Sequence, residues 1–258
     1  MLLALDVGNT NTVLGLYRID GEKPELAGHW RVATHRTQTV DEYGVLFVNL
    51  FKMNGLAPNQ VTNIIIASVV PPVDSTLRRV CEKYFHVDPM FVEPGIKTGM
   101  KMLIDNPTEL GADRIADCIA AYDRYGGPCI VVDFGTATTF DAVSSDGEYL
   151  GGAIAPGIGI ASLALCEHTA KLPKVDLRWP PSAIGRNTMH SLQSGLMFGY
   201  VGLVEGIVAR FQKELGPGTR VIATGGLAEV IAKETKVISI LAPWLTLDGL
   251  RIIHDMNC

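Results

Sequence analysis

Cysteine is scarce and scattered in this chain. Cys81, Cys118, Cys129, Cys166 and Cys258 are odd in number and contain no Cys-x-x-Cys spacing. That excludes a disulfide-built secreted framework and is the pattern of reduced thiols, so a cytoplasmic chain is expected. His29, His35, His86, His168, His190 and His254 form neither a His-Glu-x-x-His motif nor a Cys/His cluster, which leaves no pattern for zinc. No stretch reaches the ~18 uninterrupted apolar residues of a membrane span. Asp6 interrupts the apolar start, which has no basic flank, so neither a membrane partner nor a signal peptide is expected. Lys/Arg-rich runs are absent and the formal net charge is −5, which excludes the usual footprint of a nucleic-acid binder. There remain 258 residues, 47% of them hydrophobic, enough for two modest domains or one large one.

Against that background one motif occurs twice. Leu2-Leu3-Ala4-Leu5-Asp6-Val7-Gly8-Asn9-Thr10-Asn11-Thr12 and Ile130-Val131-Val132-Asp133-Phe134-Gly135-Thr136-Ala137-Thr138-Thr139 each run from an apolar strand into an Asp, a spacer, a Gly and a cluster of hydroxyls and amides. Their separation exceeds any solenoid period of about 20–50 residues and suits two related halves that each bring one loop to a shared cleft. Glycine lets the backbone approach a ligand, and amides and Thr hydroxyls donate to phosphate oxygens. Asp6 and Asp133 would repel a polyphosphate unless a cation or its waters lay between. The same composition is also good hairpin-turn chemistry; two copies with matching flanks point to a paired nucleotide site.

Along the first half, strands are expected at residues 2–5, 13–17 and near 29–33. A helix follows, with a capping box at Thr39-Val40-Asp41-Glu42 and apolar Tyr43, Leu46, Phe47, Leu50 and Phe51, stopped by Gly55. A buried strand at 63–70 ends at Pro71-Pro72, and Leu77, Val80, Cys81, Tyr84 and Phe85 mark a second amphipathic helix. The alternation predicts an α/β domain with a partly parallel sheet. The second half repeats the opening, with strands at 129–132, 140–143 and 149–155. A long helix at 189–215 carries Gly195, Gly199, Gly202 and Gly206 along one face, a stripe suited to close packing within the domain or across a subunit interface. A strand at 220–226 ends in Thr224-Gly225-Gly226, before a helix at 227–233. That junction has room for a flat ligand such as adenine, and ordinary strand-to-helix turns look the same.

Between the halves, Asn106 as N-cap, Pro107 at N1 and Glu109 at N3 predict a helix start that continues through Ile115, Ile119 and Tyr122. Asp113 and Arg114 would lie near its beginning. An Asp beside a cleft can take a proton from an alcohol, and an Arg can grip a carboxylate through two parallel hydrogen bonds. A solvated Asp-Arg pair on a surface helix is the plain alternative.

These segments together resemble the type III pantothenate kinases of bacteria, within the acetate kinase, sugar kinase and actin superfamily. The resemblance runs nearly end to end: Asp6-Val7-Gly8-Asn9-Thr10, Gly111-Ala112-Asp113-Arg114, Asp133-Phe134-Gly135-Thr136, Gly151-Gly152-Ala153-Ile154-Ala155-Pro156-Gly157, Asn187-Thr188, Thr224-Gly225-Gly226 and Leu245-Thr246-Leu247-Asp248-Gly249-Leu250. It implies two related actin-like, ribonuclease H-like domains with mixed sheets flanked by helices and a ligand cleft between them, placed at residues 1–115 and 116–258. The implied activity is transfer of the γ-phosphoryl of ATP to pantothenate, giving 4'-phosphopantothenate in the first step of coenzyme A synthesis. By the same resemblance Asp113 is the general base, and Gly111, Ala112, Asp113, Arg114 and Thr188 bind pantothenate. Asp6, Val7, Gly8, Asn9, Thr10, Asn11, Thr12, Val13 and Thr136 bind ATP, with hydrated Mg²⁺ near Asp6. Asp133 holds a monovalent cation, K⁺ or NH₄⁺, and the protein is a homodimer. Some relatives carry a Tyr near Ile104 that this chain lacks.

Overall fold

Residues 2–7 carry hydrocarbon on both faces of the strand, the pattern of a strand enclosed in a mixed sheet, and they form the central strand of the first of two sheets. The computed structural model describes residues 1–19, 21 and 23–258. In the first sheet β1 (Leu2–Val7) lies between β2 (Asn11–Arg18) and β4 (Asn63–Ser68), with β3 (Glu25–Ala33) and β5 (Met90–Phe91) at the edges, in the order β3-β2-β1-β4-β5. The first three strands run antiparallel to their neighbours, and β1, β4 and β5 are parallel. The second sheet repeats the plan. Here β6 (Cys129–Phe134) takes the place of β1, β7 (Ala137–Val143) and β8 (Tyr149–Pro156) follow antiparallel, and β9 (Arg220–Gly225) and β10 (Ile240–Leu241) are parallel to it, in the order β10-β9-β6-β7-β8. The expected duplication is thus a duplication of topology, strand for strand.

The chain divides into two units. One comprises Met1–Gly99, Asn106–Ala120 and Leu245–Cys258, the other Met100–Asp105 and Ala121–Trp244. This differs from the division at residue 115 expected from sequence order, because the last segment returns to the first unit. The first core lies between one face of its sheet and the helices α1 (Val40–Met53) and α2 (Pro71–Val80), with Leu3, Leu5, Leu14, Leu16, Phe47, Phe51, Ile64, Ile66 and Leu77 inside it. Helix α1 starts at the predicted capping box: Thr39 accepts from the Glu42 amide and the Glu42 carboxylate from the Thr39 amide. Pro71 and Pro72 do more than end β4; they occupy the first turn of α2, where a missing N–H costs nothing. The apolar face then runs on through a π-helical turn at Cys81–Phe85.

The opposite face of the first sheet is covered by α7 (Leu245–Asn257), a helix not expected from the sequence. Four successive residues of its opening have partners. Thr246 donates to buried Asp117 at 2.7 Å, and Tyr17 donates to buried Asp248 at 2.8 Å. The Leu247 side chain fills the space above Gly15, and a Cβ at Gly249 would stand 1.9 Å from the Ala116 carbonyl oxygen. The Leu-Thr-Leu-Asp-Gly-Leu motif is therefore a clamp that fastens α7 to the sheet and to α3 (Ala112–Tyr125).

In the second unit, α4 (Ile158–Glu167), α5 (Thr188–Leu215) and α6 (Ala228–Ala232) cover the face carrying Ile130, Val132 and Phe134. Asn187 caps α5 through the His190 amide, and Leu196, Met197, Tyr200, Val204 and Val208 enter the core. By length and composition α5 could cross a membrane, yet its apolar stripe is spent on this sheet. The glycine stripe faces the other way. Gly195, Gly199 and Gly202 are exposed, and a Cβ on any of them would meet nothing within 4 Å, so close packing inside the chain is not what they serve.

Candidate functional site

The two Asp-x-Gly loops are hairpin turns at the carboxyl ends of parallel strands, the edge of an α/β sheet where ligands bind. Val7 pairs with Thr12, leaving a loop of Gly8, Asn9, Thr10 and Asn11; Phe134 pairs with Thr138, leaving Gly135, Thr136 and Ala137. The second loop is one residue tighter. Gly8 donates to the Asn11 carbonyl at 3.0 Å, and Asn9 and Thr10 form the exposed tip. Period-two alternation then sorts the predicted ATP residues by face. Asp6 and its cross-strand neighbour Val13 share the face opposite the α1/α2 core, whereas Val7 and Thr12 point into that core. The Thr12 hydroxyl is fully buried and bonded to Thr34 Oγ1 at 2.9 Å, so it anchors the hairpin rather than facing a ligand.

A basic residue that sequence reading missed stands at this loop. Arg36 Nη2 donates to Asn9 Oδ1 at 3.0 Å, and the Thr34 amide donates to the Thr10 carbonyl at 3.0 Å. Nothing in the spacing from 9 to 36 announces the contact; it arises because β3 returns along β2 and delivers residues 34–36 to the loop.

In the second unit the Asp133 carboxylate occupies a niche walled by backbone. A Cβ at Gly225, whose φ is +90°, would lie 2.3 Å from Asp133 Oδ1, and one at Gly135 would lie 3.1 Å from Oδ2. The first glycine of Thr224-Gly225-Gly226 therefore makes room for Asp133. Gly157 closes on the same loop, its amide donating to the Thr136 carbonyl at 3.1 Å. Thr136 is exposed at the loop tip, Thr188 is exposed at the start of α5, and Ile104 lies beside Gly151 in the same unit.

The Gly-Ala-Asp-Arg segment is arranged differently from the sequence expectation. Asn106 does cap a helical turn, accepting from the Thr108 amide, but that turn is a 3₁₀ turn at Pro107–Glu109. Leu110 then extends, and α3 begins anew at Ala112. The break brings Asp113 into the first turn of α3, where its Oδ1 accepts from the Arg114 amide at 2.8 Å. The carboxylate folds back over Gly111, at which a Cβ would lie 2.5 Å from Oδ1 and 3.5 Å from Val69 Cγ1. Val69 in turn donates its amide to Val7 O at 3.1 Å, and Ser68 Oγ accepts from the Val70 amide while donating to Asp74. The segment after β4 thus touches both the end of β1 and the Gly111–Asp113 corner. Burial pushes the Asp113 carboxyl above the ordinary aspartate range, against smaller lowering effects from the Arg114 amide and charge. Burial likewise pushes the Cys81 and Cys129 thiols up to about 12, so neither is a nucleophile at neutral pH.

The chain matches the family model of type III pantothenate kinase over residues 2–210. It is 57% identical to the type III pantothenate kinase of Koribacter versatilis, across 100% of this chain and 96% of that protein, and 55% identical to that of Myxococcus xanthus, across 100% and 99%. Among solved structures it resembles a conserved putative Baf family transcriptional activator from Campylobacter jejuni, at a TM-score of 0.62 and 21% identity over 99% of this chain and 98% of the other. It also resembles a putative 2-dehydro-3-deoxygalactonokinase from Sinorhizobium meliloti, at a TM-score of 0.59 and 12% identity over 99% and 96%. These structural likenesses carry the fold alone. With two five-stranded sheets of one topology, an Asp-x-Gly hairpin at the same place in each, and full-length kinship to named kinases, the chain belongs to the type III pantothenate kinase family.

Proposed function

We propose that the chain transfers the γ-phosphoryl group of ATP to the primary hydroxyl of pantothenate, with Asp113 as general base. The observation that carries this reading is the Asp113 carboxyl itself, raised in basicity by burial, fixed at the head of α3 and folded over a glycine. A carboxylate made more basic takes a proton from an alcohol more readily than an ordinary exposed aspartate does. As the hydroxyl oxygen attacks the γ-phosphorus, its proton passes to Asp113 Oδ and the bond to ADP breaks. Arg114 holds the pantothenate carboxylate, Gly111 and Ala112 bound the same pocket, and Thr188 contributes a hydroxyl. The exposed loop tips at Asn9, Thr10 and Thr136 donate to ATP phosphates, with Asp6, Val7, Gly8, Asn11, Thr12 and Val13 shaping the first of them.

Asp6 suits a Mg²⁺ that keeps most of its waters. Among the described residues no group of three or more His, Cys, Asp or Glu gathers to hold a metal ion, and the neighbours of Asp6 on its face of the sheet are Val13 and Ala67. Asp133, in its backbone niche, is read as the place of K⁺ or NH₄⁺. When bound, these cations neutralise phosphate charge, and the protein supplies positioning. Assembly as a homodimer, with Thr188 reaching the pocket across the interface, completes the reading; the exposed glycine stripe of α5 supports it. Pantothenate-dependent release of ADP in a coupled assay tests the activity. ADP release that ignores pantothenate, or that a sugar restores, would refute it.

A further inference from the structure

The two hairpins share a topology but not their surroundings. Register places Asp6 beside Val13 of β2 and Ala67 of β4; at the matching place Asp133 stands beside Thr139 of β7 and Thr224 of β9. Directly paired residues project from the same face of a sheet, so Asp6 is flanked by hydrocarbon and Asp133 by hydroxyl-bearing side chains. Thr139 is 9% exposed, and its Oγ1 is buried with no hydrogen-bond partner, one of two such side-chain atoms among the described residues. A native fold seldom buries a hydroxyl unsatisfied without a ligand to explain it. A side chain at Gly225 or Gly135 would crowd the Asp133 carboxylate, and glycine leaves that space open.

We infer that Thr139 Oγ1 is a direct ligand of the monovalent cation assigned to Asp133, an inference that rests on that assignment. A large, weakly hydrated cation exchanges its water for neutral protein oxygens, and the Thr139 lone pairs supply one beside the carboxylate. Mg²⁺ dehydrates reluctantly and needs no such neighbour, which matches the apolar Val13 and Ala67 paired with Asp6 across its strands. One carboxylate motif used twice is thereby tuned to two classes of cation by the residues across the strand.

The test reads melting temperature against KCl, NaCl and choline chloride at constant ionic strength, so that binding is seen apart from turnover. Wild type is expected to be stabilised by K⁺ and not by choline, with Asp133→Asn abolishing the K⁺ effect. Thr139→Val, which keeps the shape and removes the hydroxyl, should raise the K⁺ concentration for half-effect about five- to tenfold, the size of one lost neutral contact. Thr139→Ser should stay within about threefold of wild type by keeping the oxygen; Thr139→Ala replaces the valine variant should that fail to fold. A half-effect concentration in Thr139→Val within twofold of wild type, with Asp133→Asn still abolishing the response, would overturn the role of Thr139 while leaving Asp133 in place. A wild type indifferent to K⁺ would overturn both.

Discussion

At the scale of single residues, Asp113 is the proposed general base. Its raised carboxyl must be deprotonated to act, so activity should fall as pH drops through a value above the ~3.9 of an unperturbed aspartate. The sign for stability is opposite. A carboxyl raised in the folded state favours the protonated form, so its contribution is present at acid pH and lost as pH rises through the folded value. Asp113→Asn should therefore lose ~10²–10⁴-fold in turnover while melting no lower than wild type at pH 7. Turnover above half of wild type, or a clear drop in melting temperature, would contradict this assignment. Arg36 offers a second residue-scale test. Beside a loop with no basic residue of its own, it should lend charge to the phosphates, so Arg36→Ala is expected to weaken ATP binding about two- to fivefold, given its exposure. Adenosine binding should not change, and the loss should fade at high salt. Equal weakening toward adenosine would show instead that the loop had been deformed.

At the scale of elements, the C-terminal helix α7 is held by contacts that tolerate no added volume. Gly249→Ala places a methyl against the Ala116 backbone, which cannot swing aside as a side chain can. The cost should be at least ~1–3 kcal/mol, measured by denaturant titration; a change below about 0.5 kcal/mol would mean that the two helices separate freely. Elements of this kind mark where sequence reading stopped. The capping box of α1, the paired hairpins and the long α5 were legible because their signals are local: a side chain three residues from its partner, or alternation within one strand. Asn106 misled because a good N-cap followed by proline describes a single 3₁₀ turn as well as a full helix, and only the extended Leu110 separates the two. Asp113 and Asp133 stood out by motif, but what flanks them did not. Arg36 beside Asn9 and Tyr17 beneath Asp248 join residues distant in sequence, and no periodicity reports such pairs.

At the scale of the whole molecule, the glycine stripe of α5 bears on assembly. Because a Cβ at Gly199 meets nothing within its own chain, Gly199→Leu should leave the melting of the isolated subunit unchanged. If a second copy packs there, the same leucine should weaken the dimer by ~1–3 kcal/mol, seen by sedimentation, and lower activity with it. A dimer indifferent to Gly199→Leu would move the interface to another face.

The clamp of α7 also has a consequence in time. Domains generally fold as units in the order in which they are synthesised, but here the unit that begins at Met1 is closed by Leu245–Cys258. All of Met100–Asp105 and Ala121–Trp244 is made before that closing segment. We expect a chain stopped after Trp244 to resist protease across the second unit and to be cut within residues 1–99, and a peptide of residues 245–258 added in trans to restore resistance there. Resistance without the peptide would show that the first unit closes without its last helix. On the ribosome, then, the middle of the chain would mature first, while its beginning stays open until Leu245–Cys258 is added.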